Sequence, residues 1–394
     1  MTNKRENDEI RRDKVKILNA IGCSIEKKRD EWITYLLNIE PMSTAKDEVD
    51  KTIRALKSYD EELDEINGRN AIGTYYVALP YNNPMYSFVL YSCGIALAGN
   101  DVIVRPSKMT SSYVFSFYDR YANEFDELGI TLFYGTGKEF IEQACNSRDN
   151  GGLLFTGAYE NLSEIQRYFP SQKHLIYCGQ GINPLVIDEK ITNMKDTVKL
   201  VIDSRIYNSG QDCLCAEKII VCKKIFDNFQ DELVRQLDNL IIGSAGCKNA
   251  DLYPPIDGMR EFALARYKMV KESGRKIYER KELGVVLAAF EVSLESVALN
   301  SEKFCPIFTI AQYSDDSDLL LLAQSDYKFG AVILGKGNLE IWKEFPHIST
   351  EKTIMQMEAA NAHVPFGGRG KSGFSKRGEH YRDGPILFSF ETSI

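Results

Sequence analysis

The sequence has few of the features that would tie it to a metal, a membrane or a nucleic acid. Its nine cysteines (23, 93, 145, 178, 213, 215, 222, 247 and 305) are odd in number and scattered, which argues against a disulfide framework and for a reducing, cytoplasmic compartment. Only Cys213 and Cys215 lie close together, and a C-x-C pair without neighbouring histidine or further cysteine is a poor zinc site, so no metal is expected. The four histidines (174, 347, 363 and 380) are equally dispersed and read as ordinary surface or core residues. No stretch reaches the roughly eighteen uninterrupted apolar residues of a membrane span. Met1 to Lys16 mixes acids with bases where a secretory signal needs an apolar centre. The net charge of −8 disfavours nucleic acid, because a phosphate backbone selects a clustered excess of Lys and Arg. A small molecule is the expected ligand.

What is present is enough for two ordinary globular cores: 394 residues, 44% of them hydrophobic. Apolar residues fall at helical spacing from Asp13 to Leu37, as a helix pair or one broken helix, and Asp47 to Glu65 continues in that style up to a turn at Gly68-Arg69-Asn70. Strands and helices then alternate. Strands are expected at Gly73 to Leu79, Asp101 to Arg105, Ile130 to Tyr134 and Gly152 to Phe155, and helices at Met85 to Ala98, Ser111 to Phe125, Glu139 to Asn146 and Glu160 to Tyr168. Beyond Gly181 the alternation restarts, with strands at Pro184 to Ile187, Lys218 to Val221, Ile307 to Ala311 and Phe329 to Leu334 and the clearest helix at Ile225 to Leu240. Strands separated by helices mark β-α-β units and a parallel sheet, so the fold class is α/β. The expected division is a unit over residues 1–181, a second over 182–370, and a tail, 371–394, that returns to the first.

The segment Asn208-Ser-Gly-Gln-Asp-Cys213 ahead of the apolar run Ile219 to Cys222 is the most informative. A cysteine after a polar, glycine-containing loop and before a strand can sit at a sheet edge facing a cleft, where it acts as a nucleophile; it can equally be a packed thiol. This N-x-G-Q-x-C block resembles the catalytic-cysteine motif of the aldehyde dehydrogenase superfamily, and other blocks similar to that family's motifs appear in its order. Pro80-Tyr81-Asn82-Asn-Pro84 resembles P-W-N-x-P, and Ala96 through Asn100 to Arg105-Pro-Ser107-Lys108 resembles the segment that holds the adenosine ribose. Gly135-Thr-Gly137 and Phe155-Thr156-Gly157-Ala158 resemble two loops on the cofactor side. Glu302-Lys-Phe304-Cys-Pro306 resembles E-x-F-G-P, and Pro365-Phe366-Gly-Gly368 through Gly373 resembles P-F-G-G-x-x-x-S-G.

The resemblance implies a two-domain aldehyde dehydrogenase-like fold with a Rossmann-type dinucleotide-binding domain, and a site in the cleft between its domains. It implies oxidation of an aldehyde by NAD or NADP through a thiohemiacetal and thioester on Cys213, with the Asn82 amide in the oxyanion hole. Arg105, Ser107, Lys108, Gly135, Gly137, Phe155, Thr156, Gly157, Ala158, Glu302 and Phe304 would bind the cofactor. Tyr81 and Phe366 would line the substrate tunnel.

Three departures qualify that expectation. Where hydrolytic members carry a general-base glutamate in L-E-L-G-G-K-x-P, this chain has Tyr177-Cys178-Gly179-Gln180-Gly181-Ile-Asn183-Pro184, with Cys178 or Gly179 in its place. Loss of the base slows attack by water, so reduction of an acyl thioester, or release of the acyl group to coenzyme A, is a competing reading. A retired relative serving as a scaffold is another. Arg105 and Lys108 stand where NAD-preferring members have lysine and glutamate, and two cations suit a 2′-phosphate unless Lys108 merely faces solvent. The chain is also shorter than usual family members, at its front and in the oligomerisation arm. Arm-mediated tetramers are therefore doubtful, while helix-mediated homodimers stay open.

Overall fold

The computed structural model describes residues 2–360 and 367–394. Three helices open the chain, α1 (Thr2–Lys27), α2 (Arg29–Leu36) and α3 (Met42–Lys57). The expected helix pair is present, broken at Lys28. Then come β1 (Tyr75–Ala78), α4 (Pro84–Leu97), β2 (Val102–Arg105), α5 (Ser111–Arg120), α6 (Ala122–Leu128), β3 (Ile130–Leu132), α7 (Gly137–Asn146), β4 (Gly152–Thr156), α8 (Tyr159–Gln166) and β5 (His174–Cys178). The single helix expected over 111–125 is two helices, because Tyr121 takes φ −129°, ψ 31° and interrupts the helical backbone.

The second half runs β6 (Asn183–Ile187), α9 (Met194–Ile206), β7 (Ala216–Cys222), α10 (Phe226–Leu237), α11 (Arg260–Ser273), β8 (Arg275–Glu282), β9 (Val285–Glu291), β10 (Ile307–Tyr313), α12 (Asp316–Ala323), β11 (Tyr327–Lys328), β12 (Gly330–Leu334), β13 (His347–Ser349) and α13 (Ile354–Ala360). After residue 367 come β14 (Arg369–Gly370), β15 (Gly373–Arg377), β16 (His380–Asp383) and α14 (Phe388–Glu391).

These strands form two seven-stranded sheets, ordered β16-β15-β5-β4-β1-β2-β3 and β13-β12-β6-β7-β10-β9-β8, and β11 pairs with β14. Five strands of the first sheet, β1 to β5, are parallel, as the β-α-β alternation requires. The tail strand β15 adds antiparallel to β5, Phe374 opposite Tyr177, so the end of the chain completes the first sheet. In the second sheet only the β8–β9 hairpin is antiparallel. The chain passes from one sheet to the other between Cys178 and Asn183. Asn70 and Ile394 exchange backbone hydrogen bonds of 2.7 and 2.8 Å, which ties the segment before β1 to the chain's last residue.

Two features of this framework position the site. The first turn of α4, which follows Asn82 and Asn83 directly, is held from the N-terminal helices: Glu48 of α3 accepts from the Met85 and Tyr86 N–H groups at 2.6 and 3.0 Å, and Glu40 accepts from Asn83 N–H at 3.3 Å. A buried carboxylate there meets otherwise orphaned donors and the positive end of the helix. Second, Asn208, Ser209 and Gly210 are consecutive residues at φ 46°, 57° and 79°, all buried, and this left-handed turn delivers the Cys213 loop to the start of β7. A side chain on Gly210 would stand 2.6 Å from the Cys305 carbonyl carbon.

His174 of β5 is buried beneath the tail, with Nδ1 2.8 Å from the Tyr75 hydroxyl. Burial and then Arg377 push its pKa down to about 4, outweighing the Glu391 carboxylate 3.8 Å from Nε2. Below pH ~6.5 the unfolded chain takes up a proton that the folded chain refuses until about 4, so stability falls as pH drops through that window, by up to about 3 kcal/mol. In urea titrations at pH 7 and 4.5, the His174→Gln variant is expected to lose less stability between the two than the parent.

Candidate functional site

Loops at the C-terminal ends of β1, β2, β4 and β5 face loops preceding β6, β7 and β10 across a cavity of about 520 Å³. Ligand sites of open α/β sheets lie beyond the carboxyl ends of the strands, and the first sheet obeys that rule.

Cys213 lines the cavity and is half-buried. Its loop is pinned from below: Asn183 Nδ2 donates to the Cys213 and Cys215 carbonyls at 2.8 and 3.0 Å, and Asn183 Oδ1 accepts from Gly330 N–H at 3.0 Å. Gly181 packs so closely on this loop that a Cβ there would stand 1.8 Å from the Cys213 carbonyl oxygen. Burial pushes the Cys213 thiol well above the ordinary range, and Asp212, Glu302 and Glu358 add to the effect.

The opposite wall is the loop after β1. Tyr81 donates from its hydroxyl to Gln211 Oε1 at 3.1 Å and sets its ring edge-on to Phe304, centroids 5.7 Å apart. Asn82 and Asn83 donate from their Nδ2 groups to Asp212 Oδ2 at 3.1 and 2.7 Å, and Asp212 Oδ1 accepts from Leu214 N–H at 2.8 Å. The residue immediately before the cysteine thus ties the two halves of the chain together.

At the far end, Glu302 is buried. It accepts from Gln180 Nε2 at 3.0 Å and Gly181 N–H at 3.1 Å, and burial followed by Glu217 pushes its carboxyl up to about 8. Phe304 follows at φ 53°, its N–H donating to Glu217 at 3.3 Å. Glu217 is not free to act in the cavity. It is fully buried, with carboxylate oxygens 3.2 Å from Arg205 and 3.3 Å from Lys303.

Nine of the residues singled out from the sequence line this one cavity: Tyr81, Asn82, Ser107, Thr156, Gly157, Ala158, Cys213, Glu302 and Phe304. The Thr156 hydroxyl is engaged with the Ala78 carbonyl at 2.8 Å. Phe155 lies outside the lining and stacks on Tyr177. Arg105, at the end of β2, Lys108 after it, and Gly135 and Gly137 after β3 lie outside the cavity lining. There the Arg105 guanidinium lies 3.5 Å from where a Cβ of Gly137 would be, at the start of α7, and its buried Nε has no hydrogen-bond partner among the described residues. Lys108 is exposed. Phe366, expected to line the substrate tunnel, lies outside the described residues.

Where the family's base was sought, both Cys178 and Gly179 line the cavity, and burial pushes the Cys178 thiol up to about 12. Among the described residues no group of three or more His, Cys, Asp or Glu is placed to hold a metal, and no helix is long and apolar enough to cross a membrane.

Sequence reasoning passed over Asp212, Asn183 and Gly181. A carboxylate next to a nucleophilic thiol was a visible signal for the first, because it opposes ionisation of its neighbour. The roles of the other two depend on contacts between segments distant in the chain.

The aldehyde dehydrogenase family model matches residues 9–383. A lactaldehyde dehydrogenase from Methanococcus maripaludis is 24% identical over 396 residues, covering 93% of this chain and 84% of that protein. Two solved structures share the fold. Glyceraldehyde-3-phosphate dehydrogenase GapN from Methanocaldococcus jannaschii, complexed with NADP, aligns at TM-score 0.83 and 18% identity over 100% of this chain and 93% of that one. Succinic semialdehyde dehydrogenase from Streptococcus pyogenes, with NADP+ as its cofactor, aligns at TM-score 0.85 and 18% identity over 98% and 89%. On the match across nearly its whole length, the chain belongs to the aldehyde dehydrogenase family, oxidoreductases that act on aldehydes.

Proposed function

We propose that the protein oxidises an aldehyde with NADP, or less favourably NAD, through a covalent intermediate on Cys213. The observation that carries this reading is that Cys213 and the amide of Asn82, supplied by opposite sheets, line one cavity. The Cys213 thiolate attacks the aldehyde carbon, and the carbonyl oxygen becomes an oxyanion. An N–H of Asn82 and the Cys213 backbone N–H are the donors suited to receive it, the amide contributing roughly 3 to 4 kcal/mol of transition-state stabilisation. A bound nicotinamide supplies the hydride acceptor. Thr156, Gly157, Ala158, Glu302 and Phe304 would hold that end of the dinucleotide, and Ser107, Gly135 and Gly137 the adenosine end.

The Arg105 guanidinium, 3.5 Å from where a Cβ of Gly137 would stand at the N-terminus of α7, supports a phosphate at the adenosine end. Arg105→Ala is expected to raise the Kd of NADP by about 10- to 100-fold, the value of a hydrogen bond to a charged group, and to leave NAD within about threefold by the same measure. Fluorescence titration with both cofactors checks this, and equal weakening of the two would remove the assignment.

A second reading concerns the fate of the acyl group. A Cys178 thiol held up to about 12 by burial is a poor proton acceptor, which favours transfer of the acyl group to an external thiol over hydrolysis. The deciding experiment follows reduced nicotinamide absorbance with lactaldehyde or glyceraldehyde, with and without coenzyme A. Turnover with aldehyde and nicotinamide cofactor in the absence of coenzyme A supports oxidation by the nicotinamide followed by hydrolysis of the thioester. Turnover only with coenzyme A, or only in reverse from an acyl thioester, supports exchange. Silence in all three overturns both readings.

A further inference from the structure

From the contacts between the 81–83 and 211–214 loops, we infer that Asp212 is a positioning residue, whose buried carboxylate fixes which end of the Asn82 amide is turned to the Cys213 loop. The inference rests on the reading of Cys213 as nucleophile and Asn82 as oxyanion donor. Its basis is a count of donors and acceptors. The Asp212 side chain has three partners, Asn82 Nδ2, Asn83 Nδ2 and the Leu214 N–H, and all three are donors. An acceptor-only group satisfies them at once, and an ionised carboxylate is such a group. A carboxamide in its place has to turn an NH₂ toward either the Leu214 N–H or the two asparagine NH₂ groups.

The relief available in the second case is rotation of the Asn82 amide by half a turn. That presents its carbonyl oxygen where the donor stood and places a lone pair against the developing oxyanion. Asn82 and Asp212 are both buried, so water does not compensate readily. Asn83 cannot substitute for Asn82: its φ of 49° and its place at the N-cap of α4 set it on a different course. Asp212 also has an electrostatic effect on its neighbour. It is the first charged group, after burial itself, among those that hold the Cys213 thiol protonated. The carboxylate that orients the oxyanion donor therefore also opposes ionisation of the nucleophile.

The test uses the full-length parent, Asp212→Asn, Asn82→Ala and the double variant, with one aldehyde and NADP, and measures iodoacetamide alkylation of Cys213 against pH. If Asp212 works through Asn82, Asp212→Asn lowers kcat by about 10²-fold, the order expected for one oxyanion donor, with KM nearly unchanged. The double variant is then no slower than Asn82→Ala alone, within about threefold, because the shared interaction is already gone. The alkylation midpoint falls in Asp212→Asn and stays at the parental value in Asn82→Ala. Asp212→Ser, which also removes the acceptor pair, is expected to repeat the kcat loss should the asparagine variant not fold. Losses that multiply in the double variant, or parental kcat in both Asp212 variants, overturn the assignment. A parent inactive on every aldehyde tried overturns the reading of the site itself. A parent active on aldehyde whose losses multiply removes this assignment alone.

Discussion

Cys213→Ser is expected to lose aldehyde oxidation by at least about 10⁴-fold, the scale on which enzymes lose rate when the nucleophile is removed. A serine hydroxyl is a far weaker nucleophile near neutral pH. The variant should fold like the parent, since serine is close to cysteine in size and the loop's hydrogen bonds run through its backbone carbonyl and Asn183. Unchanged circular dichroism with loss of nicotinamide reduction is the expected pair of results, and turnover at the parental rate would remove Cys213 from the mechanism. Because burial, Asp212, Glu302 and Glu358 all hold the thiol up, alkylation of the parent by iodoacetamide should be slow at pH 7 and rise steadily as pH is raised past the ordinary thiol range. Addition of an oxidised dinucleotide, whose nicotinamide is positively charged, should speed alkylation at pH 7, since a nearby cation favours the thiolate.

Glu217→Ala is expected to cost about 3–5 kcal/mol of stability, the usual penalty for leaving buried charge without its partner. Two cations are stranded at once. Arg205 and Lys303 are fully buried, and both face the Glu217 carboxylate. Burial already holds the Lys303 ammonium down to about 8, and Glu217 is the foremost group opposing that shift. Without it Lys303 releases its proton near neutral pH, and among the described residues Arg205 keeps only its bonds to the Cys305 and Ile307 carbonyls. The midpoint of urea unfolding should fall sharply, and Glu217→Gln should recover only part of the loss, since it restores shape and not charge. An unfolding free energy within about 0.5 kcal/mol of the parent, the range of neutral surface changes, would contradict this account of the triad. The effect should reach the cleft as well, because Glu217 also receives the Phe304 N–H at 3.3 Å and so holds the Glu302–Phe304 loop against the cavity.

The sequence carried the first sheet well because its elements are local: short β-branched and aromatic runs at Tyr75–Ala78 and Val102–Arg105, separated by the strongly apolar α4. Strand β5 was not picked out, since its sequence, HLIYC, is a short apolar run that propensity alone does not assign. The β8–β9 hairpin was also missed. Its turn uses Leu283 at φ 48° and Gly284 at φ 83° in place of the Asn-Gly or Asp-Gly pair that announces such turns, and β8 is charged along most of its length.

The sequence by itself determined which reactive groups the protein owns and in what order. A thiol behind a glycine-containing loop, an asparagine after the first strand and an arginine after the second are present in that order whatever the fold. Tertiary structure alone decided which of them meet: nine in one cavity, Arg105 outside it, Glu217 sealed against two cations, and Asp212 bridging to asparagines 129 and 130 residues away. Hydrogen bonds and ion pairs act over a few ångströms, and distance along the chain says little about distance through it. The partners that orient an amide or neutralise a buried charge are therefore set by packing between the two sheets.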